Sequence, residues 1–170
     1  MPIDNCPHTF QVLATEVLPG YFASLQAAIT QPFPASTLSN MKSASRAALL
    51  TVGRQSDFPG CYVFIDGTTP IYVGISRTVI RRLVQHLSTD THFSASLVYR
   101  MASEDYPHEM KRDQAMKDEQ FRRIFFQAQG RLQAMRFAFI EIPNDLELYT
   151  FEVYVAMSLD TDTWNTFRTH

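Results

Sequence analysis

The sequence predicts a mixed α/β fold of the α+β type, in which helices flank a small, mainly antiparallel three-stranded sheet. Two short runs rich in β-branched and aromatic residues, 61–65 and 71–75, lie on either side of Asp66-Gly67. An Asp-Gly pair between such runs is a strong signal for a β-hairpin. A third run, 135–142, alternates well enough to predict a strand beside the hairpin. Most of the remaining chain has apolar residues at helical spacing.

The N-terminal third of the chain is predicted to be helical. Apolar residues recur at helix-like spacing over 9–28, with an interruption expected at Pro19-Gly20. The Pro-Phe-Pro stretch at 32–34 predicts a break, and residues 45–52 predict one or two further helical turns. These segments carry no identifiable chemistry.

After the hairpin, four helices are predicted, at residues 78–87, 92–102, 109–128 and 146–159. Ser76 is a suitable N-cap for the first of them. Gly130, after Gln129, is expected to end the third. Asn144 followed by Glu147 has the spacing of a capping box, which gives Glu147 a structural role at the start of the fourth.

Alternation along the hairpin places Tyr62, Phe64 and Tyr72 on one face of the sheet. The opposite face then receives Cys61, Val63, Ile65, Ile71, Val73 and Ile75. Tyr62 and Tyr72 are each five positions from Gly67, so we expect them to be cross-strand neighbours. Arg82 and His86 lie four apart on the following helix and share one side of it. Two phenols, a guanidinium and an imidazole are therefore expected to converge on one patch.

Glu152 is the only ionisable carboxylate or cation between Leu148 and Leu159. A lone carboxylate on an apolar helix is costly if it is buried without a partner. It is therefore expected to reach water or to meet a cation.

Composition and length predict a soluble globular protein. The chain has 170 residues, and residues 1–57 are interpreted as a helical N-terminal extension packed on a core domain, 58–170. Cys6 and Cys61 are too few for a disulfide framework or a zinc site. We expect neither a signal peptide nor a membrane span, and a cytoplasmic location.

Charge is distributed unevenly along the chain. The formal net charge is −2, yet residues 77–136 hold eleven Lys/Arg and seven Asp/Glu, a net of +4. A basic middle with acidic ends permits phosphate contacts without requiring them. The basic residues of the third predicted helix, Lys111, Arg112, Lys117, Arg122 and Arg123, are interpreted as a solvated face in preference to a DNA track.

Two short motifs, Gly60-Cys61-Tyr62 and Tyr72-Val73-Gly74, followed by Arg82-x-x-x-His86, resemble the signature of the GIY-YIG nuclease family. The late Glu152, with Asn165 thirteen residues after it and Trp164 just before Asn165, extends the resemblance to the end of the chain. Members of this family cut DNA phosphodiester bonds with a divalent metal.

The resemblance implies a GIY-YIG-like fold and a metal-dependent endonuclease that acts on DNA. It implies one cleft, reachable by solvent, with five catalytic residues: Tyr62, Tyr72, Arg82, His86 and Glu152. Glu152 would bind one Mg²⁺ or Mn²⁺, Arg82 the scissile phosphate, and Tyr62 would take the proton from water, with Tyr72 and His86 assisting. Asn165, Arg77 and Arg81 are expected to contact the substrate.

The sequence also departs from the family pattern, and two other functions remain open. Cys61 and Val73 replace isoleucines of the two motifs, and the segment 160–163 is acidic where many relatives are basic. One alternative is a non-cutting nucleic-acid-binding module of a repair or defence complex. The other is an unrelated small α/β domain with an interaction role.

Overall fold

The computed structural model describes residues 3–41 and 43–167. Within them the strands are β1 (Phe33–Pro34), β2 (Gly60–Asp66), β3 (Thr69–Ser76) and β4 (Arg136–Glu141). The α-helices are α1 (Phe10–Val12), α2 (Leu18–Thr30), α3 (Arg46–Thr51), α4 (Val79–Ser88), α5 (Ser96–Asp105), α6 (Arg112–Ala115), α7 (Glu119–Ala134) and α8 (Asp145–Ser158). The fold is thus mixed α+β, with helices flanking an antiparallel sheet.

The sheet has the strand order β1-β4-β2-β3, and β2 pairs antiparallel with both β3 and β4. The predicted hairpin and third strand are confirmed. The prediction of three strands is wrong, because a two-residue strand, β1, lies beside β4. It forms in the Pro-Phe-Pro stretch that predicts a break. An edge strand tolerates proline because one of its sides needs no ladder hydrogen bonds.

The register of the hairpin confirms the predicted faces except at Ile71, which has no partner on β2 because Ile65 is opposite Pro70. Val63 is opposite Val73 on one face, and Tyr62 is opposite Gly74 on the other. Direct pairing of Tyr62 with Tyr72 is wrong. The loop contains two residues, and a β-bulge between Phe64 and Ile65 shifts the register further. Tyr72 therefore pairs with Phe64 and is a diagonal neighbour of Tyr62.

The first long helical segment is not interrupted at Pro19-Gly20. Helical turns continue from Phe10 to Thr30, and the segment Leu13–Val17 is a π-helix. Proline lacks an N–H and its ring crowds the carbonyl four residues earlier. The wider π turn immediately before Pro19 accommodates this defect, so the chain stays helical.

The prediction of one helix over 109–128 is also wrong. Two helices, α6 and α7, occupy this region, and the Asp118 side chain caps α7 by accepting from the Phe121 N–H at 2.7 Å. Helix α7 continues past Gly130 and buries Leu132 completely. Glycine inside a helix costs about 1 kcal/mol, whereas burying a leucine contributes roughly 1.5–3 kcal/mol. Packing therefore outweighs the glycine signal.

The start of α8 is capped as predicted, because Asn144 Oδ1 accepts from the N–H groups of Leu146 and Glu147 at 3.0 and 3.1 Å. The Glu147 side chain has a different role from the one expected. It is buried and accepts a hydrogen bond from the Tyr21 hydroxyl at 2.7 Å, with the Cys6 thiol at 3.7 Å. Burial and the Glu147 carboxylate raise the pKa of Tyr21. The hydrogen bond between Tyr21 and Glu147 thus links α2 to α8.

The chain divides into two compact units. The first comprises the described parts of 1–33, 57–79 and 136–170, and the second comprises those of 34–56 and 80–135. The division into an extension, 1–57, and a domain, 58–170, stays a prediction.

In the first unit, α2 and α8 cover the face of the sheet that carries Cys61, Val63 and Val73. The other face is rich in aromatic rings, where Phe139 stacks on Phe33 at 5.6 Å and packs on Phe58 at 5.2 Å.

In the second unit, α5 packs against α7. Helix α7 also supports the C-terminal end of α4, whose last carbonyls lack helical partners. The Gln133 amide donates to the Leu87 carbonyl at 2.7 Å, and the Gln129 amide donates to the Thr89 carbonyl at 2.8 Å. These bonds fix the end of the helix that carries Arg82 and His86.

Among the described residues, the stretch Ile3–Thr30 is long and apolar enough to cross a membrane by length and composition alone. Core helices of soluble proteins and signal sequences have the same properties. The expected absence of a membrane span and the cytoplasmic location stay predictions.

Candidate functional site

The two motif tyrosines lie together on the aromatic face of the first unit. The rings of Tyr62 and Tyr72 have their centroids 6.3 Å apart, with an interplanar angle of 50°. Phe64 packs edge-on against Tyr62 at 6.0 Å. Tyr62 is only 1% exposed, whereas Tyr72 is half-buried. Tyr72 is therefore the phenol that solvent reaches more easily.

Both motif glycines lie where a side chain has no room. A Cβ atom at Gly74 would come within 2.4 Å of both the Tyr62 hydroxyl oxygen and the ring carbon that bears it. A Cβ atom at Gly60 would come within 2.1 Å of the backbone oxygen of Ile140 on β4. The Tyr62 phenol therefore lies over the bare backbone of Gly74. This geometry links the glycine of the second motif to the tyrosine of the first.

Asn165 is bound to the strand that carries Tyr72. Its Oδ1 accepts from the Val73 N–H at 2.9 Å, and its Nδ2 donates to the Val73 carbonyl at 2.8 Å. Strand β3 is at the edge of the sheet, so these backbone groups would otherwise lack a strand partner. The amide of Asn165 thus positions the backbone between Tyr72 and Gly74, and both of its polar groups are used in doing so.

Glu152 lies on α8, next to Phe151 in the sequence, and is half-buried. Helix α8 packs through Phe151 and Val155 on the face of the sheet that contains Cys61. Burial, and then the negative charge of Glu152, raise the pKa of the Cys61 thiol. The structure thus places Tyr62 and Tyr72 on one face of the sheet and Glu152 on the helix that packs against the other.

Two further predicted substrate contacts are arginines with exposed side chains. Arg77 donates to the Asp145 carboxylate at 2.5 Å, at the start of α8. Its guanidinium is thus already engaged by an acid. Arg81 is exposed on α4.

In the second unit, Arg82 is held by the loop before α5 and by the first residue of that helix. Its guanidinium donates to the Ser94 carbonyl and to the Ser96 hydroxyl, both at 2.9 Å. Sequence patterns give no signal for Ser94 and Ser96, since they lie twelve and fourteen residues after Arg82. Only the fold brings them to the guanidinium. Arg82 is consequently held in one orientation and remains half-buried.

His86 lies four residues after Arg82 and is completely buried. Burial lowers its pKa well below the usual value, and the positive charges of Arg82 and Arg100 lower it further. The imidazole is therefore neutral near pH 7. A neutral imidazole can accept a hydrogen bond, but it cannot act as a cationic anchor for phosphate.

Within the described ranges, no cluster of three or more His, Cys, Asp and Glu side chains is arranged to hold a metal ion. The predicted donor is Glu152 alone. One carboxylate is compatible with Mg²⁺, which keeps several waters and takes phosphate oxygens from its substrate. It is a poor match for zinc, which takes three or four protein ligands.

The prediction that Tyr62, Tyr72, Arg82, His86 and Glu152 line one cleft stays a prediction. Comparison with family models, curated proteins and solved structures gives no match to this chain.

Proposed function

We propose that this protein is a metal-dependent endonuclease of the GIY-YIG type that hydrolyses DNA phosphodiester bonds. The observation that carries the proposal is the seating of the Tyr62 phenol over Gly74, with the Tyr72 ring 6.3 Å away. If the Gly-x-Tyr and Tyr-x-Gly motifs occurred together by chance, we would not expect both glycines to lie where a side chain has no room. Here each glycine is required by a close approach, which gives the conjunction of motifs a physical basis.

The two phenols have different roles in the transfer of the proton from the attacking water. A tyrosine hydroxyl titrates near 10, so it acts as a base only if nearby positive charge stabilises the phenolate. Tyr62 is fixed by its contact with Gly74 and is the candidate for this role. The more exposed Tyr72 is suited to orient the attacking water. Asn165 acts indirectly, because it positions the strand between Tyr72 and Gly74.

Arg82 and His86 supply two complementary properties. The guanidinium cannot lose its charge near neutral pH, and its planar fork matches two phosphate oxygens. Ser94 and Ser96 orient it, so it is preorganised for charge that builds up during the reaction. His86 is neutral and serves as a hydrogen-bond acceptor. Arg81 is exposed and is a candidate for a further phosphate contact. Arg77 would have to leave Asp145 to make one.

Glu152 is the residue that would hold a single Mg²⁺ or Mn²⁺. Such an ion would supply positive charge at the phosphate and help to stabilise the departing oxygen. One half-buried carboxylate is a suitable ligand for one hard cation whose other ligands are phosphate oxygens and water.

A non-cutting nucleic-acid-binding module is the second candidate. Two observations favour it. Tyr62 is only 1% exposed, although a base for water must be reached by water. Glu152 lies on the helix that packs against the face of the sheet opposite Tyr62. The two candidates differ in one measurable property, which is turnover of a DNA substrate.

The test is nicking of plasmid DNA and of single-stranded DNA in Mg²⁺ or Mn²⁺. We expect cleavage by the wild type, none in EDTA, and a loss of about 10²–10³-fold in rate for Arg82→Lys, which keeps the charge but loses the fork. Tyr62→Phe should cut poorly and fold normally. Glu152→Gln should bind DNA but not cut, whereas Glu16→Gln, which changes an exposed residue of the same unit, should cut normally.

Undiminished cleavage by Glu152→Gln would contradict the assignment of the metal site. Absence of cleavage by the wild type on both substrates, with DNA binding retained, would decide for the non-cutting module.

A further inference from the structure

The exposed side of helix α7 carries arginines, a phenylalanine and a glycine that lie outside the buried core of its unit. Half of its circumference is buried through Phe121, Phe125 and Leu132. The exposed half carries Arg122, Phe126 and Gly130 in one row at intervals of four residues, with Arg123 and Arg131 beside it. We call this exposed half the α7 outer face.

The α7 outer face belongs to the basic unit of the protein. The sequence of the second unit holds twelve Lys/Arg and seven Asp/Glu, a net of +5, whereas that of the first holds three and ten, a net of −7. On the outer face Arg131 pairs with Asp105. Arg122 and Arg123 take part in no ion pair with other described residues. Two guanidinium groups are thus available to an anionic partner.

Phe126 is a large apolar side chain in the middle of this charged face, and it is 43% exposed. The Arg122 guanidinium lies over its ring, 5.6 Å from the centroid. A ring that is open on one side and bordered by arginines is a stacking platform for a flat partner. A base of a nucleic acid can use such a platform only if it is unpaired.

Gly130 is the third observation, and it is independent of charge. It lies inside α7, where glycine destabilises the helix relative to alanine. A Cβ atom there would have no heavy atom within 4 Å, so packing within the protein does not require glycine. The glycine leaves the helix backbone bare one turn after Phe126. A bare backbone in an open position is suited to close approach by a partner.

We propose that the α7 outer face binds single-stranded DNA. One unpaired base stacks on Phe126, Arg122 and Arg123 pair with the flanking phosphates, and the strand passes over Gly130. The inference rests on the proposed function in taking DNA as the partner, and it names the form of the substrate. Binding is therefore measured without cleavage, in EDTA, so that the two proposals can fail separately.

The experiment is fluorescence anisotropy of a labelled oligo-dT with the full chain in EDTA. Phe126→Leu should weaken binding about fivefold to a hundredfold, because stacking contributes roughly 1–3 kcal/mol per base. It should leave the salt dependence unchanged. Arg123→Gln should weaken binding and lower the slope of log K against log salt by about 0.7. Phe10→Leu is the matched control, since Phe10 is 76% exposed and lies in the acidic unit.

Gly130→Ala gives the sharpest result. It should raise the melting temperature, because alanine is the better helix former, and yet weaken binding of the oligonucleotide. A structural role for Gly130 would make both quantities fall. The proposal is overturned if Phe126→Leu binds like Phe10→Leu, if a duplex of matched sequence binds more tightly than the single strand, or if the wild type does not bind oligo-dT.

Discussion

At the scale of single residues, the most specific interaction near the predicted site is that of Asn165 with Val73. One side-chain amide satisfies both the N–H and the carbonyl of a residue on an edge strand. An amide can donate and accept at once, whereas a carboxylate can only accept. The residue type therefore matters beyond its size.

We expect Asn165→Asp to lower the free energy of unfolding by about 1–3 kcal/mol, because the Val73 carbonyl loses its donor and meets a negative charge. The measurement is the midpoint of urea unfolding. Thr166→Asp, which adds a carboxylate at the adjacent exposed position, is the control for charge alone. Equal midpoints for the two variants would show that the amide has no positioning role.

At the scale of elements, the β2–β3 hairpin depends on the absence of a side chain at Gly74. The Tyr62 ring fills the space above it and is buried, so it has little freedom to move. Added volume in a packed interior forces strained side chains or backbone shifts.

Gly74→Ala should therefore destabilise the fold by about 1–3 kcal/mol. Gly20→Ala is the matched substitution. It lies in α2 with no heavy atom near the added Cβ, so it should be neutral or stabilising. Thermal unfolding of both variants gives the comparison. The cost of Gly74→Ala should also shrink in a Tyr62→Leu background, because the ring that opposes the new methyl is gone. A cost unaffected by Tyr62→Leu would contradict the close approach.

At the scale of the whole molecule, stability should depend on pH through His86. Its folded-state pKa is lowered, chiefly by burial and then by Arg82 and Arg100. The unfolded chain therefore binds a proton near pH 6.5 that the folded chain does not. Stability contributed by the neutral imidazole is present above pH 6.5 and is lost as the pH falls below it. The loss continues down to the folded-state pKa.

The expected slope is up to about 1.4 kcal/mol per pH unit below pH 6.5 from this one group. Urea unfolding at pH 7.5, 6.5 and 5.5 measures it, and His86→Gln removes the titrating group. Carboxylates contribute similarly in both proteins, so the difference between the two pH profiles isolates His86. Parallel profiles would contradict the burial of a neutral imidazole.

The features that depend on local chemistry can be predicted from the sequence. The Asp-Gly turn and the alternation around it predict the hairpin and the side chains that share each face, and Asn144 predicts the start of α8. These are short-range signals, so one stretch of chain contains all the information. The glycine and tyrosine motifs can also be recognised in the sequence. The close approaches that require Gly60 and Gly74 are seen only in the structure.

Other features depend on how the chain packs in three dimensions, and no local pattern in the sequence predicts them. The two-residue loop and the bulge between Phe64 and Ile65 together replaced Tyr72 by Gly74 as the partner of Tyr62. The π-helical turn at Leu13–Val17 allows the chain to stay helical through Pro19-Gly20. The burial of Leu132 favours the continuation of α7 past Gly130. Glu147 and Asn165 form hydrogen bonds with residues that lie 126 and 92 positions away in the sequence. Contacts of that separation are chosen by how buried groups satisfy one another across the fold, which no local pattern specifies.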